Sequence, residues 1–306
     1  MNTTNIFAAL MIFVSSTAAA VAAAEPVPTP VKHPYICSDN GQGKVFVVSA
    51  AGKIEWEYAV NVPQDVWALP NGNYLFSHLR GVMEVAPDKK IVWEYKSPDG
   101  TEIHTCQPLP GGLVMTAECG TKRILEIDRQ GKVTKEIPFE TTTGGVHGQI
   151  RIARKLTNGH YLLALTGEHA VNELDDKGQI VRRIKVPGDP YVGVRLPNGN
   201  TLIACGDGHK IIEVDAADKV VWQIEENELP GIPLRFVAGL QRLPNGNTVV
   251  CNWGGHGHVG QQALVFEVTP KKNVVWKVED YNSFRTIAHI QLLDVKGNPV
   301  KGELLR

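Results

Sequence analysis

Five polar or titratable side chains stand at one fixed offset from a word that recurs along the chain. The word is LPNGN or a worn copy of it, anchored at Leu69, Leu109, Leu156, Leu196, Leu243 and Asp294. Five positions before these anchors stand Gln64, His104, Arg151, Tyr191, Ala238 and His289. An imidazole titrates near neutral pH and can take a proton or attack an electrophile. A guanidinium presents a planar fork that matches carboxylate, sulfate or phosphate. If the protein is an enzyme, His104 and His289 are therefore the candidate bases or nucleophiles and Tyr191 the candidate proton donor. Gln64 and Arg151 are candidate ligand contacts. Any one of these residues alone could equally be a hydrogen-bonded structural side chain, and it is the shared offset that groups them.

Four blocks of sequence add to this set. His147 and Arg235 precede the strand-like runs that carry Arg151 and Ala238, and Arg154 lies close to Arg151. The stretch CNWGGHGHVGQQ, residues 251–262, offers Trp253 for stacking on a ring and His256 and His258 for polar contact, with glycines that let the loop approach a ligand. Two histidines one residue apart without a carboxylate pattern do not make a metal motif, so no metal site is assigned and the cofactor is left unknown. With Arg151, the residues Arg154, Arg195, Arg235 and Arg242 suggest an anionic or polyhydroxylated ligand; Arg195 and Arg242 adjoin the anchors, which leaves the opposite rim open as their alternative place.

The elements that must position these residues follow from the repeats. Asn-Gly between apolar runs, as in DVWALPNGNYLFS and GLQRLPNGNTVVCN, signals a two-residue type I′ hairpin with both central residues at positive φ. A second word keeps the same beat: SAAGKIEW, APDKKIVW, DRQGKVTK, DDKGQIVR, DAADKVVW and TPKKNVVW. It ends in Trp56, Trp93, Trp222 or Trp276 in four copies and in Lys135 or Arg182 in two. Each repeat thus holds four strands, A to D, at spacings of 40, 47, 40, 47 and 51 residues between anchors. Four-stranded units at that period predict an all-β, six-bladed β-propeller. The chain begins at a B strand and ends with a lone A strand, RTIAHIQLLD, so the N-terminal strands and the C-terminal strand should pair and close the ring. The D-to-A and B-to-C loops open on one face, and eight of the ten histidines fall in or beside them.

These Trp-ended words resemble the repeats of quinoprotein (PQQ)-like propellers, and the six blades with LPNGN hairpins are similar to the propeller of bacterial arylsulfotransferases. The resemblance covers nearly all of the chain after its leader and implies that the tryptophans dock one blade on the next. PQQ enzymes of this type have eight blades and a disulfide of adjacent cysteines. Neither feature is present here, which disfavours PQQ.

Composition bounds the rest. With 31 basic and 32 acidic residues there is no field to attract nucleic acid or an anionic membrane. Residues 1–24 read as a cleaved signal peptide ending in an Ala run, residues 25–34 as a Pro-rich leader, and residues 35–306 as a single propeller domain. No second apolar run is long enough to span a bilayer, and a periplasmic or secreted monomer is expected. Cys37, Cys106, Cys119, Cys205 and Cys251 lie in apolar segments without local pairing and are expected as free core thiols. Three functions remain open. The first is a binder of a small anionic or carbohydrate-like ligand on the histidine-rich face. The second is an enzyme on the same face with lyase-like or sulfuryl-transfer chemistry. The third is an interaction scaffold, which the mixed charge of IVWEYK and VTKEIPFE speaks against.

Overall fold

The computed structural model describes residue 1 and residues 32–306. The signal-peptide reading and the leader as far as residue 31 fall outside the described residues. The described chain forms six four-stranded antiparallel sheets. Their innermost strands are Val66–Ala68, Glu102–Pro108, Ala153–Lys155, Val192–Arg195, Phe236–Arg242 and Ile287–Leu292, here numbered as blades one to six. In blade six the inner strand comes from the C-terminal part of the chain and pairs with Tyr35–Asp39, which continues to Lys44–Val48 and Ile54–Ala59. The fold is the expected six-bladed β-propeller, closed by its two ends. Among the described residues no helix is long and apolar enough to cross a membrane. All five cysteines are free and buried.

The LPNGN hairpin differs from the two-residue turn that Asn-Gly suggested. The Gly72 N–H donates to the Leu69 carbonyl at 3.0 Å, and the Leu69 N–H donates to the Asn73 carbonyl at 2.8 Å. Of the central residues only the glycine takes a positive φ, 84° at Gly72. This is a longer loop, a Pro-started turn followed by a left-handed residue, because Pro70 fixes φ near −65° at the first corner and cannot enter a type I′ turn. The last Asn of the word has its own task. Asn73, Asn200 and Asn247 donate from Nδ2 to Glu84, Glu213 and Glu267 at 2.6, 2.8 and 2.6 Å.

Those three glutamates, with Glu126 and Glu173 on the equivalent strands of blades two and three, also tie neighbouring blades. Glu84 meets Arg129, Glu126 meets Lys155, Glu173 meets Arg195, Glu213 meets Arg242 and Glu267 meets His33, each pair at 2.6–2.8 Å. Arg195 and Arg242 are thus structural cations of the rim away from the ligand loops. The tryptophans dock as the repeats imply: Trp56, Trp93 and Trp222 donate from Nε1 to the carbonyls of Pro87, Asp128 and Pro270 in the next blade. Where Arg182 replaces Trp, its guanidinium reaches Asp215 and Asp218 of the next blade instead. The outer strands carry exposed apolar pairs that their charge-mixed words did not suggest, at Ile91–Val92, Ile180–Val181 and Val220–Val221.

Candidate ligand-binding site

The inner strands converge on the axis, and the groups at the loop end of these strands make a small cleft. It is lined by Asn40, Val62, Gln64, His147, Arg151, Tyr191, Phe236, Trp253, His256 and Ala288, and its volume is about 130 Å³. Tyr191 donates from its hydroxyl to Gln64 Oε1 at 2.8 Å, a bond that joins blades one and four. Arg151 is held through hydrogen bonds from Nη1 to the carbonyls of His147 and Ile150. Phe236, Trp253 and His256 pack edge to face with ring centroids 5.0–5.6 Å apart. Trp253 is fixed by a bond from Nε1 to Asn40 Oδ1 at 2.8 Å. The cleft therefore combines a guanidinium, a phenol and an amide on its floor with an aromatic wall.

The sequence-predicted residues divide cleanly between this cleft and other places. Gln64, Arg151, Tyr191, His147, Trp253 and His256 line it. His104 lies behind His147, ring centroids 5.3 Å apart, and is only 1 % exposed. Arg235 turns away to pair with Glu226, and His258 bonds within its own loop to Gln261 at 3.1 Å. His289 does not reach the cleft.

The reason for the misplacement of His289 is a one-residue error of frame. In the other five blades the inner strand ends one residue before the anchor, and in blade six it ends at Leu292. The true sixth anchor is Leu293, so the position equivalent to Gln64 and Tyr191 is Ala288, which does line the cleft. A slip of one residue turns a strand side chain to the other face. The sequence holds the correcting signal. Gln107, Gln241 and Gln291 each stand two residues before a Leu, and each accepts a hydrogen bond from the next blade's inner strand: from Lys155, Leu292 and Ala68 at 2.8, 2.9 and 2.9 Å.

His289 instead belongs to a buried charge cluster below the cleft. Arg154 binds Asp65 through two hydrogen bonds, Nη1 to Oδ2 at 2.6 Å and Nη2 to Oδ1 at 3.1 Å. The His289 ring lies between two guanidinium groups, its Nδ1 2.7 Å from Arg306 Nη2 and its Nε2 3.3 Å from Arg154 Nη2. The guanidinium of Arg306 also stacks 4.0 Å over the Trp67 ring. Burial pushes the Asp65 carboxyl up, but the charges of Arg154 and Arg306 and the hydrogen bonds from Arg154 outweigh it and hold it below the usual carboxylate range. Burial and the two arginines keep His289 neutral, its pKa well below the ordinary histidine value. An imidazole so enclosed is a structural partner of Asp65.

One functional group was missed. Glu102 Oε2 lies 2.7 Å from His147 Nδ1 and 3.3 Å from His104 Nε2. Burial drives the pKa of His104 down to about 4, with Arg151 and His147 adding to the effect and Glu102 opposing it. The two imidazoles, His104 first, hold the Glu102 carboxyl at about 2. The ligating atoms of Glu102, His104 and His147 all lie within 4.8 Å of one another. The convergence of metal-competent groups is here, and not at the His256 and His258 pair. Glu102 and His104 are two apart on one strand and so share a face, a signal available in the word EIH.

A sequence match over residues 44–272 is to the Mal s 1 allergenic protein-like family. The chain belongs to that family. No curated protein matches it. Among solved structures, a protein of unknown function from Bacteroides caccae is 30 % identical, with a TM-score of 0.80 over 86 % of this chain and 100 % of that one. A catalytically inactive histidine-to-alanine variant of virginiamycin B lyase from Staphylococcus aureus with quinupristin is 15 % identical, with a TM-score of 0.56 over 81 % of this chain and 84 % of that one. A streptogramin B lyase is 13 % identical, with a TM-score of 0.57 over 83 % and 85 %. At these identities the two lyases share the propeller fold.

Proposed function

We propose that the protein is an exported monomer that binds a small anionic ligand with a flat apolar or sugar-like portion in the cleft beside Arg151. Arg151 carries this reading. Arg154, Arg195, Arg235 and Arg242 each face a carboxylate, whereas no carboxylate lies within ion-pair distance of Arg151 among the described residues. A largely desolvated guanidinium at the edge of a cleft is completed by a carboxylate, sulfate or phosphate. Trp253 and Phe236 supply the wall for the ligand's flat part. A volume of about 130 Å³ is below the roughly 300–1,000 Å³ of sites that engulf a drug-sized molecule, so the cleft grips one end of its ligand. Calorimetric titration with aryl sulfates, aryl phosphates and uronic acids tests the reading. Arg151→Gln should weaken the best of them by roughly 10–100-fold, the cost of one charged hydrogen-bonding partner. Equal affinity for wild type and Arg151→Gln would overturn it.

A second reading, an enzyme of lyase type at the same cleft, is favoured by the Glu102–His147 contact at 2.7 Å. A carboxylate that holds Nδ1 leaves Nε2 as the basic nitrogen, the arrangement of a general base. Two structural neighbours are described as lyases, one of them inactivated by loss of a histidine. With a demonstrated substrate, His147→Ala should abolish turnover and spare binding. Turnover that persists in His147→Ala removes this reading.

A further inference from the structure

We propose that Glu102, His104 and His147 form a binding site for one first-row divalent metal ion of the zinc class, beside the cleft. The ligating set is two imidazole nitrogens and one carboxylate oxygen, and their atoms lie within 4.8 Å of one another. The donors suit a borderline cation better than magnesium or calcium, which prefer all-oxygen shells. A tetrahedral shell with bonds of about 2.0–2.1 Å places neighbouring ligand atoms about 3.3 Å apart; Glu102 Oε2 stands 3.3 Å from His104 Nε2, and its 2.7 Å hydrogen-bond contact with His147 Nδ1 would open by about half an ångström to admit the ion.

A second observation points to a missing partner. His104 is 1 % exposed, yet neither Nδ1 nor Nε2 makes a hydrogen bond. Its contact with Glu102 is within reach but poorly aligned, because Glu102 Oε2 already faces His147. Buried polar atoms are rarely left in this state, and each such case calls for an unseen water or ion. A cation placed between the three groups would give His104 a partner and neutralise the Glu102 charge. Three protein ligands leave a further coordination position open, as in catalytic and not structural zinc sites. His147 also lines the cleft, so that position is accessible to a ligand bound there. Arg151 is the nearby opposing charge, and its guanidinium already spends two hydrogen bonds on the carbonyls of His147 and Ile150.

The site goes beyond the anion reading and does not depend on it. The test uses the purified full chain, stripped with chelator and dialysed, and titrated with zinc chloride by calorimetry in the absence of any organic ligand. One equivalent of zinc should bind, and cobalt in its place should give the intense visible absorption of a tetrahedral ion. Glu102→Gln and His147→Ala should each weaken zinc by more than the ~10–100-fold typical of losing an outer-shell partner. His147 has a largely exposed side chain, so His147→Ala should keep the wild-type melting profile, which guards against a folding artefact. His160→Ala should bind zinc as wild type does, because His160 lies in the hairpin after Leu156 on the opposite rim, where its ring meets Glu173 at 2.7 Å. Arg151→Gln should retain zinc while losing the anion, which separates failure of this site from failure of the anion reading. Absence of stoichiometric zinc binding, or equal binding by wild type, Glu102→Gln and His147→Ala, would overturn the proposal.

Discussion

Arg154 and Asp65 show how strongly single side chains are committed below the cleft. Both are buried, and their two hydrogen bonds are joined by Arg306 and His289. Breaking a buried pair by removing one partner leaves a charge without compensation and costs about 3–5 kcal/mol. Arg154→Ala should therefore lower the unfolding free energy by about that amount in urea denaturation, and a loss under about 1 kcal/mol would show that Asp65 finds other support. The sequence named Arg154 only as a neighbour of Arg151 and did not reach Asp65 or Arg306. Their meeting depends on contacts 89 and 152 residues apart in the chain, which no local word encodes. Glu102 is a different case. It was legible from its spacing to His104 but was passed over because it falls at a different offset from the anchor.

At the scale of the element, repeats read the blades well and the depth of a side chain less well. The hairpins supplied six blades and placed Gln64, Arg151 and Tyr191 in one cleft, because their inner strands end at the same point relative to the turn. The frame failed in blade six, where the inner strand does not enter a hairpin and Asp294 is no equivalent of Leu69. The Gln-x-Leu spacing at Gln291 and Leu293 keeps the frame there because it reports a blade-to-blade hydrogen bond, a constraint that survives loss of the turn. The long loop after Cys251 is constrained as well. A Cβ on Gly255 would sit 1.7 Å from Trp253 Cη2, far inside contact distance, so the indole lies directly over that backbone. Gly255→Ala should push the indole off the cleft wall, shift its fluorescence emission, and weaken an aromatic ligand by about 1 kcal/mol, roughly fivefold. Unchanged emission and affinity would mean that Trp253 is not part of the wall.

Over the whole molecule, stability depends on whether the ring stays closed, and closure rests on residues far apart in sequence. Tyr35–Asp39 pairs with Ile287–Leu292, and Asp39 accepts hydrogen bonds from the Arg285 and Thr286 N–H groups at 2.6 and 3.0 Å. His33 adds the outermost fastening. It takes the place of the basic side chain that meets a strand-C glutamate in four other blades, lying 2.8 Å from Glu267 in blade five and 2.8 Å from Asp294 beyond the closing strand. Burial opposes its charge, but the hydrogen bonds and attraction of Glu267 and Asp294 outweigh it and raise its pKa above the ordinary value of 6.5. A raised histidine pKa means that the folded state holds the proton more tightly than the unfolded chain does. The resulting stability is complete below about pH 6.5 and is lost as the pH rises through the folded value. Urea unfolding of wild type and His33→Ala at a series of pH values reads this directly. The wild-type advantage should be largest below about pH 6.5 and shrink at alkaline pH, when the imidazole is neutral at both ends of the reaction. An advantage that is flat across that range, or that grows with pH, would show that His33 fastens the ring by packing against Trp276, whose ring centroid is 5.1 Å away, and not by its charge.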